Sequence, residues 1–132
     1  MGRFPTYADL MMATDDAGLR RSYLATEDNF RFLKDLETRN MVVPVVGNFG
    51  GPKALRAIAA YLKEYEQVVS TFYLSNVEQY LRQDGIWNVF CANTATLPLD
   101  EKSMFVRSRS VGGGFALDAS PIAPEVAPCT AR

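Results

Sequence analysis

The spacing of apolar and polar positions changes period several times along the 132 residues, and each change marks an element. Thr6, with Asp9 three residues later, has helix-start spacing, and a short helix follows until "DDAGLRRSY" breaks it at Gly18. Thr26 can cap a second helix, with Glu27 and Asp28 in its first turn and Phe30, Leu33 and Leu36 as its apolar stripe. Arg39 falls in its last turn, and Asn40 suits the residue just past the end. Met41 to Val46 is apolar on both parities, which predicts a strand buried on both faces. Pro44 restricts where that strand can sit, because it has no N–H to donate.

Gly47 to Gly51 reads as a turn, and Pro52 suits a first helical position. Leu55, Ile58, Leu62 and Tyr65 then recur at helical spacing. A second strand is predicted over Val68 to Leu74, and Ser75 with Glu78 has capping-box spacing for the helix that follows. Asp84-Gly85 interrupts that helix, and Ile86, Val89 and Phe90 form another short stripe. "SMFVRSR" predicts a third strand, with Met104 and Val106 on one face and Phe105 and Arg107 on the other.

This order predicts an α/β fold: part of a doubly wound, Rossmann-like, mostly parallel sheet with helices on both faces, lacking its N-terminal strands. Residues 1–110 form the predicted domain. From residue 111 the chain is rich in Gly, Ala and Pro, which predicts a loosely ordered tail over 111–132.

Composition narrows the function classes. The net charge of −1 gives no basic excess for nucleic acid, and no apolar run has the length of a membrane helix. No secretory signal is visible, although "MGRFPT" fits the loose Gly2 myristoylation pattern. Cys91 and Cys129 read as two separate thiols of a reduced compartment, which predicts a cytoplasmic protein. Histidine is absent, so a zinc site is not expected, and no catalytic residue is assigned.

The glycine turn fails both nucleotide patterns. A phosphate loop starting at Gly47 needs a glycine where Pro52 stands and a hydroxyl where Ala54 stands, and Phe49 replaces the second glycine of a dinucleotide fingerprint. It reads first as a structural turn. Three places stay as candidates. Gly47, Asn48 and Phe49 at one strand end, with Tyr73, Ser75 and Asn76 at the next, would line a cleft at the carboxyl edge of a parallel sheet. Ser75 reads first as a helix cap and Asn76 as a first-turn residue. Lys53 lies in a first helical turn and reads first as an exposed side chain reaching into water; an anion or a nearby carboxylate would offset its unfavourable position. Arg20 and Arg21, after flexible Gly18, have the chemistry of an anion clamp, or of an ordinary solvated loop.

The segments from Pro5 to Glu64, "FYLSNVEQYL" and "GIWNVFCANTATLPLDEKSMFVRS" with the glycines after it resemble the C-terminal half of an uncharacterised bacterial protein family. The resemblance spans about residues 4 to 115 and implies a fold similar to S-adenosylmethionine-dependent methyltransferases. It places the cofactor's glycine loop upstream of Met1. It therefore implies a fragment unlikely to be active alone, with Asn48 and Tyr73–Asn76 facing a cofactor cleft. The family pattern has an acidic residue where Asn48 stands, which weakens any charge-dependent role there. The competing expectation is a non-catalytic interaction module that dimerises through an open sheet edge or pairs with a separate N-terminal half.

Overall fold

The computed structural model describes residues 5–111 and 114–129, with side chains at 5–108 and 116–129. The Gly2 myristoylation pattern and the glycines at 112 and 113 lie outside the described residues. The chain divides into two compact units, Met1–Pro44 and Val45–Arg132.

The first unit holds α1 (Tyr7–Met12) and α2 (Glu27–Thr38). Thr6 caps α1 as its spacing predicts: its hydroxyl accepts from the Asp9 N–H at 3.1 Å, and the Asp9 carboxylate accepts from the Thr6 N–H at 2.7 Å. The Thr26 hydroxyl caps α2 through the Asn29 N–H. Asn40 ends α2 in the left-handed region, at φ +53°. There Met41 N–H donates to Leu36 C=O and Asn40 N–H to Glu37 C=O, the two bonds of a Schellman end. Neither helix contains a buried residue.

The second unit runs α3 (Ala54–Glu64), β1 (Thr71–Ser75), α4 (Val77–Gln83), α5 (Trp87–Thr94), β2 (Met104–Val111), β3 (Gly114–Pro121) and α6 (Ile122–Val126), closed by a 3-10 turn at Ala127–Cys129. The sheet order is β1-β2-β3. β1 lies parallel to β2, with Phe72 opposite Phe105 and Tyr73 opposite Val106, and β3 returns antiparallel, with Ser120 opposite Phe105. Leu55, Leu74, Leu81, Phe90, Cys91, Phe105, Ile122 and Val126 form one buried cluster, so α3 to α6 all contribute to the core on the Phe72–Phe105 face. Thr71, Tyr73, Leu117 and Ala119 on the opposite face are exposed.

The doubly wound, mostly parallel sheet with helices on both faces is thereby corrected. The sheet is a three-stranded mixed one, with one parallel and one antiparallel pair. Two local errors produced the difference. Met41–Val46 joins no strand, and its apolar side chains stand exposed. The expected tail instead forms β3 and α6, because Ile122 and Val126 are buried and anchor it. Its Gly/Ala/Pro composition had hidden the strand alternation that pairs Ala119 with Val106 and Ser120 with Phe105.

The cysteines also required correction. Cys91 on α5 and Cys129 in the final turn form a disulfide, with Cα atoms 5.8 Å apart. Their 38-residue separation says nothing of this proximity, which follows from α6 folding back onto α5.

Candidate functional site

Arg107 is the chief charged group of the core. It shares the covered sheet face with Phe105, and its guanidinium lies 4.1 Å from that ring's centre. It is only 2% exposed. Its Nε donates to Glu78 Oε1 at 3.0 Å, and its other nitrogens donate to both Glu125 oxygens, at 3.0 and 2.6 Å. A fourth bond, 2.6 Å long, goes to the Ser120 hydroxyl. Burial works against the charge, but the Glu125 hydrogen bonds and the two carboxylate charges outweigh it, so the pKa rises above the ordinary arginine value. The group is a brace joining β2, β3, α4 and α6. Flanked by two carboxylates, it does not offer a site to an external anion.

Glu78 is therefore engaged with Arg107 and does not close a capping box. The N-cap of α4 is Asn76, which makes no side-chain cap bond. Ser75 instead sits at φ +47°, where the register of β1 on β2 slips between Tyr73 and Ser75. A non-glycine residue held there carries backbone strain.

The turn is tied down from inside the second unit. Asn93 on α5 is fully buried and donates from Nδ2 to the backbone carbonyls of Gly51, at 2.7 Å, and Phe49, at 3.2 Å. Its Oδ1 accepts from Arg56 Nε at 2.8 Å. Asn48 Oδ1 accepts from the Gly50 N–H at 2.8 Å, which tightens the turn. A Cβ on Gly47 would lie 2.3 Å from that of Ala54, and one on Gly50 would lie 2.7 Å from Ile86 Cδ1. These glycines permit close packing, and the carbonyls at Phe49 and Gly51 are already engaged. The Gly50 and Gly51 N–H groups donate to the Asn48 side chain and carbonyl, and Pro52 has no N–H, so the turn offers a phosphate few of the amides it would need.

The predicted cleft residues are not brought together as one rim. Among the described residues Met41–Val46 forms no strand, so the strand end predicted to carry Gly47, Asn48 and Phe49 beside β1 is missing. The Phe49 ring turns inward, 6.1 Å from Phe72 and 6.4 Å from Phe90. Tyr73 points to the other face, where it is 59% exposed. Ser75 and Asn76 are exposed at the end of β1, and Lys53 is an exposed N-cap of α3 without a side-chain cap bond. Arg20 and Arg21 lie in the first unit. Arg21 Nε pairs with Asp15 at 2.8 Å, while Arg20 contacts Met12 Sδ and bridges to Thr14 through its backbone. Arg21 holds the Asp15 carboxyl below its ordinary pKa, helped by the Leu19 N–H. Among the described residues no group of three or more acidic, histidine or cysteine side chains could hold a metal ion.

Sequence reasoning missed the Arg107–Glu78–Glu125 brace and the Asn93 latch. The signal for the first was an arginine sharing the face of Phe105 within an apolar strand. Asn93 had none, since an asparagine in a short helix resembles many surface positions.

The architecture is a small α/β mixed-sheet domain preceded by a helical unit. The chain belongs to the family described as a domain of unknown function (DUF7790), whose model matches residues 3–123. No curated protein matches it. Among the described residues no helix is long and apolar enough to cross a membrane.

Proposed function

We propose that the chain is a non-catalytic association module whose exposed sheet face is covered by another polypeptide, in the simplest case a second copy. The observation that carries this is the face opposite the core. Tyr73 is 59% and Leu117 72% exposed there, with Ala119 also exposed and Met104 and Val106 half-buried. One-sided antiparallel sheets keep a polar outer face, whereas a sheet apolar on both faces is normally covered on both. Tyr73, Val106 and Ala119 lie in register across the three strands, and apolar side chains grouped in this way on an open face mark interaction sites.

The methyl-transfer reading rests on the resemblance. The glycine turn gives it no support, because its glycines and carbonyls are occupied by packing and by Asn93. A cytoplasmic location rested on two free thiols, and the disulfide removes that support.

Sedimentation velocity on the wild type and on Tyr73→Lys/Leu117→Lys tests the association. Both side chains are exposed, so the variant should fold. The wild type is expected to form an assembly that the variant cannot form. Identical sedimentation of the two as folded monomers would overturn the proposal.

A further inference from the structure

Two features of this chain complement each other. Met41–Val46 has the composition of a strand, apolar on both parities, yet it joins no sheet, and Val46 is 101% exposed. β1 is an edge strand whose neighbour in the sheet is β2, and its sequence, Thr71 to Ser75, has neither a charge nor a proline to block pairing. We infer that Met41–Val46 of one copy adds as a strand to the β1 edge of a second copy, and reciprocally, in a two-fold exchanged dimer. This rests on the association reading above for the second copy and adds a contact at the β1 edge to the one on the sheet face.

Three points favour this occupant. The new strand would lie beside Phe72 and Leu74 on one side and beside Thr71 and Tyr73 on the other, where a segment apolar on both parities can pack on either face. Pro44 is tolerated in an edge strand, where its missing N–H faces outward, and the added strand would be the new edge. The segment also spans the boundary between the two compact units, at Pro44 and Val45, where exchange between copies requires a connecting stretch. Each copy supplies both halves of the contact, so the symmetric arrangement closes on itself. Recognition is by β-augmentation: main-chain hydrogen bonds provide the attraction and alternate side chains set the register.

The test combines light scattering with amide hydrogen exchange at low and high protein concentration, on the wild type and on Val43→Asp. Position 43 is exposed, so the variant keeps its folded core. The expected result is a dimer in which exchange over Met41–Val46 and Thr71–Ser75 slows together with concentration. Val43→Asp should weaken it by about tenfold or more. A wild-type dimer with no slowing at Met41–Val46 would overturn the strand exchange and leave the association reading standing. A wild type that stays monomeric at every concentration would overturn both.

Discussion

Replacing Arg107 by Met removes the charged brace but keeps an unbranched apolar stem against Phe105. The guanidinium makes four hydrogen bonds, three of them to carboxylates. Removing one partner of a buried ion pair costs about 3–5 kcal/mol when the remaining charge is stranded. Here the side chains left behind are not fully stranded, being 21% exposed for Glu78 and 39% for Glu125. Water can reach them, so the expected loss falls to about 2–4 kcal/mol. For a small domain each kcal/mol shifts Tm by about 4–8 °C, so the variant should melt at least about 8 °C lower. Urea unfolding of wild type, Arg107→Met, Glu125→Ala and the double variant gives the coupling energy directly. That coupling should be about 1.5–3 kcal/mol, because the Arg107–Glu125 contact is bidentate. A loss under about 1 kcal/mol for Arg107→Met, or a coupling near zero, would refute the reasoning and show the brace to be energetically idle.

Other positions give independent checks. Asn93→Ala breaks three hydrogen bonds and leaves the Phe49 and Gly51 carbonyls without this partner, so urea unfolding should show a loss of about 2–3 kcal/mol. Glu66 ends α3 at φ +52°, the position where glycine is preferred, so Glu66→Gly should stabilise the fold by about 0.5–1 kcal/mol, read as a higher urea midpoint. Reducing the Cys91–Cys129 disulfide, with its 38-residue separation, should cost about 3–4 kcal/mol, read as a lower Tm in reductant that a Cys91→Ser/Cys129→Ser variant does not show. The Asp15 carboxyl titrates below its ordinary value in the folded chain, so its contribution is complete above the unfolded carboxylate pKa and lost as pH falls through the folded one. Carbon NMR titration should show that depression in the wild type and its reduction in Arg21→Gln.

The helix starts were legible because capping is local. Thr6 and Thr26 announce α1 and α2 through side chains that bond within three residues, and Asn40 marks the end of α2 through its left-handed backbone and local main-chain bonds. Strand identity was less legible, because a strand exists only through its partner. Met41–Val46 has the better strand composition, yet Gly114–Pro121 has the partner. Ser75 and Glu78 show how a local signal can be overridden: the spacing fits a cap, but Arg107, 29 residues away, takes the carboxylate. The glycines at 47 and 50 resembled a ligand loop because close packing and phosphate binding both select residues without a Cβ. The atoms that decide between them, Ala54 Cβ, Ile86 Cδ1 and the Asn93 amide, lie on the two helices packed there.

The central claim is that the chain associates through apolar surface that its own second unit leaves exposed. Its molar mass by size-exclusion chromatography with light scattering, followed over a broad range of concentration, tests this most directly. The account predicts a mass that rises from 14.7 kDa toward twice that value as concentration increases. A mass that holds at 14.7 kDa throughout, in a chain shown to be folded, would contradict it.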